Sequence, residues 1–345
     1  MTPMKGFTSP LWPIRYKPLP DELLSSWLVR LAHGHGLKVQ TFCNLIFGNR
    51  HQVWNRDIDR LGPDWLVNEL SARTGTPLEI AYGTTLRAYE GWLYPRFKAS
   101  GALQWIQTLK MYHRKFEGFG LQYCPQCLQE GPEPYFRKSW RVAFNTVCVR
   151  HQCMMRDRCP NCGAGVAFHR RDMGHDGIVV TDSLATCYQC GFDLGVASPE
   201  PIISYDQQAS GWHAGLCKEL TCGNSAKSVV ALDSLDVMRQ LAMLLTSRYL
   251  TVRLHAHVCV QLGVLEMPLT RSRVAIETQT LHERHHLMQL IAWLMADLEP
   301  RLRIAWCEKA VRYNHLSKDF KNAPGWYLKV AGGFADWRSE RRHSQ

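Results

Sequence analysis

Long apolar runs are missing from this 345-residue chain. None reaches the ~20 residues that cross a bilayer, so no membrane-spanning helix is expected. The opening stretch, MTPMKGFTSPLWPIRYKPLP, is broken by proline and lacks an apolar core. No secretion signal is therefore expected, and the chain reads as cytoplasmic. A disorder-type composition is missing too. Hydrophobic residues make up 46% of the chain, with 12 Trp, enough for two or three domains with cores of their own. No cysteine follows a proline and no His-x-Glu occurs, which excludes the nucleobase-deaminase signature. An acidic surplus is absent as well: Lys and Arg number 41 against 30 Asp and Glu, a net of +11. Residues 1–120 carry +6, residues 121–200 are neutral and residues 201–345 carry +5. Basic ends around a neutral middle suit an anionic partner, most often nucleic acid, although charge alone specifies none.

Cysteine, by contrast, is plentiful, at 13 residues. In a reducing compartment, paired thiols read as metal ligands before they read as disulfides. Four pairs share a two-residue spacer: Cys124-Cys127, Cys148-His151, Cys159-Cys162 and Cys187-Cys190. That spacer lets one tight knuckle aim two side chains at one ion, and two knuckles close a tetrahedron. Turn-forming residues sit in or beside three of them, in CPQC, CPNCG and CYQCG. Pairing the knuckles consecutively gives a three-cysteine, one-histidine site followed by a four-cysteine site, each expected to hold one structural Zn²⁺. An interleaved pairing stays open, because sequence does not fix connectivity. Cys153 has no partner at this spacing and reads as a spare thiol, while Cys217 and Cys222, four residues apart, fit a knuckle less well. A catalytic zinc keeps a position open, whereas both sets supply four ligands, so no catalytic residue is expected here.

One stretch points the other way. LHERHHLMQL contains His282, Glu283 and His286, the letters of the zinc-peptidase helix, with Glu308 downstream as a conceivable third ligand. Leu287, Leu290, Ile291, Leu294 and Leu298 nevertheless follow at helical spacing, so an ordinary amphipathic helix explains the stretch. Pro300 is expected to interrupt the path to Glu308.

Both ends read as helical. Pro20 and Asp21 mark a helix start before the stripe Leu23, Leu24, Trp27 and Leu31. Gly34 and Gly36 break it, and Val39, Phe42, Leu45 and Ile46 begin another. Ala32, four residues before Gly36, permits a close helix crossing of helix-turn-helix type, and a plain helical hairpin fits equally well. Near the C-terminus, Ile304, Cys307 and Val311 are expected to pack one helix, with Leu316 and Phe320 on a second. Locally, HLSKDFK resembles half of an AraC-type DNA-binding module. Lys38, Arg312, Lys318 and Lys321 are the candidate contacts to DNA or a partner.

Taken in order, LPDELLSSWLVRLA, YCPQC, PYFRKSWRVAFNTVCVRHQC and RCPNCGA resemble the TniQ/TnsD family of transposon target selectors, over roughly residues 18–192. The resemblance implies that the eight knuckle ligands occupy the family's two zinc-binding motifs. One departure is CVRH, where many relatives have Pro after the Cys; it touches the turn and not a ligand. The implied protein is prokaryotic and not an enzyme. It is an adaptor that marks an insertion site, directly on DNA or on a CRISPR effector ribonucleoprotein. It recruits an AAA+ ATPase regulator, and through it the transposase, with a homodimer conceivable. A stand-alone site-specific DNA-binding regulator is the alternative, and a zinc peptidase the remote one. The expected fold is mainly α with small zinc-ribbon or zinc-finger elements. It divides into an N-terminal helix-turn-helix-like part (1–120), tandem zinc motifs (121–195) and a C-terminal helical part (196–345).

Overall fold

A computed structural model describes residues 11–48, 51–109, 120–172, 183–222, 232–247, 249, 251–268 and 275–334. The protein is mainly helical, with three two-residue strands among the described residues. It divides into two compact units, Met1–Pro201 and Ile202–Gln345.

The first unit opens on α1 (Leu24–Gly34) and α2 (Val39–Phe47). Leu24, Trp27, Leu28 and Leu31 are fully buried, as their 3.6-residue spacing demands. Gly36, at φ +67°, turns the chain out of α1, a conformation that costs glycine least. Two expectations fail locally. Asp21 is not a helix cap: it takes φ +59°, and its carboxylate accepts from the Ser139 amide at 3.1 Å, while α1 starts only after Leu23. On α2 the buried face is Val39, Phe42 and Cys43, and Leu45 is exposed. Next come α3 (Ile58–Leu61), α4 (Asp64–Thr74), α5 (Leu78–Gly83) and α6 (Pro125–Gln129).

Helix α1 is stitched to residues 136–139. The Leu23 amide donates to the Phe136 carbonyl (2.9 Å), Lys138 to Asp21 (2.7 Å), and the Phe136 amide to Ser26 Oγ (3.0 Å). Charge is buried in the same seam. Arg141 is fully buried, with Nη2 2.6 Å from Asp57 and Nη1 3.5 Å from Asp59, and Asp59 also accepts from the Ser25 amide and hydroxyl. Burial and the neighbouring Asp57 push the Asp59 carboxyl up to about 6, against the pull of Arg141. Position 120/121, where sequence places a boundary, lies inside this unit.

Strands β1 (Val147–Cys148), β2 (Cys153–Met154) and β3 (Glu200–Pro201) form an antiparallel sheet in that order, with Cys148 opposite Cys153. Pro201, which has no amide hydrogen to donate, falls on the edge strand, where that loss is tolerated.

The second unit holds α7 (Gln207–Cys222), α8 (Leu232–Leu245), α9 (Leu254–Leu262), α10 (Leu281–Ala296), α11 (Leu298–Cys307), α12 (Tyr313–Ser317) and α13 (Gly325–Gly332). Helix α10 is its centre, packing against α7, α8, α9 and α11. Leu287, Met288, Leu290, Ile291, Ala292 and Leu294 are all fully buried, so this helix is enclosed and not amphipathic. Pro300 does not interrupt a helix. It sits in the first turn of α11, where a proline lacks nothing the helix would use. The C-terminal stripe also differs from expectation. On α11 the buried residues are Leu298, Leu302 and Ala305, while Ile304 and Cys307 are exposed. Helix α12 ends at Ser317, so Phe320 lies beyond it. Among the described residues no helix is long and apolar enough to cross a membrane.

Candidate metal centres

The first knuckle is built at the start of α6, where Cys124 is the N-cap, Pro125 opens the helix and Cys127 falls in its first turn. The second knuckle is the tight connection between β1 and β2, in which Gln152 takes φ +51°. Paired backbone bonds between Tyr123 and Arg156, both 2.8 Å, bring the knuckles together. His151 Nδ1 then lies 3.3 Å from Cys124 Sγ, 3.3 Å from Cys127 Sγ and 3.5 Å from Cys148 Sγ, and Cys127 Sγ is 3.7 Å from Cys148 Sγ. A tetrahedron with Zn–S bonds of about 2.3 Å has an S···S edge of about 3.8 Å, so these four atoms stand at metal-binding separations. Hydrogen bonds from Cys124, Cys127 and Cys153 lower the Cys148 thiol.

The four-cysteine group repeats one knuckle twice. The Gly163 amide donates to the Cys159 carbonyl (2.9 Å), and the Gly191 amide to Cys187 (3.0 Å). Both glycines take positive φ, +74° and +76°, which lets each loop close on its own first cysteine. The Cys159 amide returns to Ala164, and Cys187 to Phe192, both at 2.8 Å. Sγ separations across the two knuckles are 3.6 Å (Cys159–Cys190) and 3.7 Å (Cys162–Cys187). Cys159 and Cys187 are buried, Cys162 and Cys190 exposed. Hydrogen bonds from the Asn161 side chain and the Phe192 backbone lower Cys190 to about 6. Consecutive pairing thus puts each ligand quartet within 4.8 Å of itself, and the donor sets are compatible with zinc.

Two features of the first site escape sequence reasoning. Glu130 Oε1 is 2.5 Å from His151 Nε2 and its other oxygen 3.0 Å from Arg150, so a carboxylate orients the histidine ligand from behind. An acidic residue three positions past the Cys124-x2-Cys127 knuckle was the available signal. Cys153 is not remote either: across the strand pair from Cys148, its Sγ is 3.8 Å from Cys124 Sγ.

The remaining candidates are dispersed. Lys38 is the N-cap of α2 and half-buried. Arg312, Lys318 and Lys321 are exposed around α12, with Lys318 Nζ 5.3 Å over the Tyr249 ring. The peptidase motif is not assembled. Glu283 closes a capping box with Thr280, accepting from its amide at 2.8 Å and donating its own amide to Thr280 Oγ1 at 3.3 Å. His282 is exposed while His286 is buried, and Glu308 meets His257 Nδ1 at 2.9 Å.

Over the N-terminal stretch the chain is similar to a known family: residues 13–155 match the TniQ model. That stretch is similar to a TniQ domain. TniQ proteins are a transposition-associated target-selection family, and the match encloses α1, α2 and the complete first ligand quartet. The four-cysteine group lies outside the matched TniQ stretch. No curated protein matches the chain.

Proposed function

We propose that the protein is a non-catalytic targeting adaptor for transposition, holding two structural zinc ions. The observation that carries this reading is the TniQ match, which ends only after all four ligands Cys124, Cys127, Cys148 and His151. The second ion sits on Cys159, Cys162, Cys187 and Cys190. Three thiolates on one Zn²⁺ leave −1 and four leave −2, so the neutral middle segment becomes about −3. A negative, metal-rigidified centre is a poor DNA clamp and a good docking block for protein. In this reading residues 1–120 supply a helix-turn-helix-like part in α1–α2, residues 121–195 the zinc block and residues 196–345 a second helical part. Lys38, Arg312, Lys318 and Lys321 touch DNA phosphates or an acidic partner, and the adaptor recruits an AAA+ ATPase regulator that activates the transposase. The target is marked on DNA or on a CRISPR effector ribonucleoprotein.

The test is capture of an AAA+ ATPase transposition regulator, with wild type and Cys124→Ser, alongside DNA binding across a salt series. Adaptor function requires capture by wild type and its loss in the variant. Stand-alone DNA binding should be weak, near the non-specific range of roughly 10⁻⁶ M at physiological salt, with a shallow salt slope. Nanomolar, sequence-specific binding without ATPase capture would establish the stand-alone regulator instead.

A further inference from the structure

The second unit contains a group of metal-type ligands that belongs to neither knuckle pair. His255 and Cys259 stand four residues apart on one face of α9, and His286 projects from the enclosed helix α10. Their donor atoms all lie within 4.8 Å of one another, and the residues are 9%, 2% and 1% exposed. From this cluster we infer a third metal site, with His255 Nε2, Cys259 Sγ and His286 Nε2 as ligands to a Zn²⁺ ion.

The outer partners of the two rings give the argument. His255 Nδ1 faces the Glu266 carboxylate at 3.4 Å, and His286 Nδ1 lies 2.8 Å from Tyr205 Oη. A carboxylate only accepts, so it holds the proton of His255 on Nδ1 and leaves a lone pair on Nε2. That lone pair faces His286 Nε2 at 2.7 Å. When His286 in turn donates Nδ1–H to the Tyr205 hydroxyl, two lone pairs meet in a buried space, an arrangement a cation resolves. Ligating histidines are commonly tied in this way, each at its far nitrogen to an oxygen. Burial lowers both histidines, favouring the neutral imidazole that a metal ligand requires. Two imidazoles and one thiolate form a borderline-soft donor set suited to zinc. Binding opens the nitrogen pair from 2.7 Å to about 3.3 Å, the edge set by Zn–N bonds of ~2.0–2.1 Å. Among the described residues no fourth protein ligand joins the group, so a water molecule completes the tetrahedron.

Metal analysis of the purified full-length chain tests this site separately from the two knuckle sites. Wild type should carry three zinc ions. Cys259→Ser and His255→Gln should each carry two, whereas Cys124→Ser and Cys190→Ser lose ions from the other sites. Cys259→His, which restores a third nitrogen ligand, should return the count to three. Tyr205→Phe keeps all three ligands and should weaken only this site, by roughly 10–100-fold in chelator competition. If Cys259→Ser does not fold, the Cys259→His and Tyr205→Phe measurements decide the matter. Two ions in wild type that persist in Cys259→Ser, or three ions in both, would overturn the assignment. An unchanged zinc affinity in Tyr205→Phe would overturn it as well, leaving His255 and His286 as a simple ring-to-ring hydrogen bond.

Discussion

Glu130→Gln isolates what the carboxylate behind His151 contributes. The substitution keeps the shape and a carbonyl acceptor 2.5 Å from His151 Nε2, but removes the charge. Outer carboxylates on zinc-bound histidines typically hold 10–100-fold in affinity, about 1.4–2.7 kcal/mol at 1.36 kcal/mol per decade. Glu130 is 36% exposed and shares its charge with Arg150, 3.0 Å away, so screening puts the expected loss near the lower figure, roughly tenfold. The assay is competition with a chromogenic chelator at pH 7, following release of one equivalent per chain. The four-cysteine site provides an internal reference, since its ligands do not include His151. A change below about threefold at the first site, or an equal change at both, would refute the argument that Glu130 acts through His151.

Three further outcomes are expected. Arg141→Leu strands the buried Asp59 without its cation and should cost about 3–5 kcal/mol in denaturant unfolding, whereas a loss below 1 kcal/mol would mean Asp59 finds another partner. His169, stacked on Trp54 at 4.8 Å, is lowered by burial to about 3; it binds a proton in the unfolded chain but not in the folded one, so its stabilisation is complete above pH 6.5 and is lost as pH falls toward 3. His169→Phe should therefore spare about 1.4 kcal/mol of the stability lost between pH 7.5 and 5.5, read from urea titrations with zinc content verified at each pH. Chelator should strip the four-cysteine site first, because Cys162 and Cys190 are exposed, and a Cys190→Ser chain that keeps the fast phase would contradict this.

The grouping of the knuckle side chains was legible because a two-residue knuckle is a local device: backbone hydrogen bonds within six residues shape it, and neighbours in sequence become neighbours in the quartet. Helices α1 and α2 were legible for a similar reason, their apolar period and the Gly36 turn being local. What failed was non-local. Asp21 resembles a cap, yet it is claimed by Ser139, 118 residues away. The stripe Ile304–Cys307 has helical spacing, but the helix turns Leu302 and Ala305 inward because its neighbours in the second unit lie on that side. His282-Glu283-x2-His286 has the letters of a protease and the structure of a helix cap, since Thr280 one turn earlier captures the glutamate. His255 and Cys259 were readable as a four-residue ligand pair on a helix, but their partner His286 is 31 residues further on, a separation that no spacing rule covers.

The stitching of α1 to residues 136–139 has a consequence during synthesis. Ser26 meets its partner Phe136 across 110 residues. At about 5–20 residues per second, the ribosome delivers that partner roughly 5–20 s after α1 has emerged. Throughout that interval Leu23 and Ser26 lack the hydrogen-bond partners that residue 136 will supply, and the first unit's two cysteine groups are still incomplete. On the proposed zinc occupancy, metal supply acts on the nascent chain as a timer: a cell short of zinc prolongs the life of an unstrapped apolar helix, and aggregation rather than slow loss of activity is the expected failure.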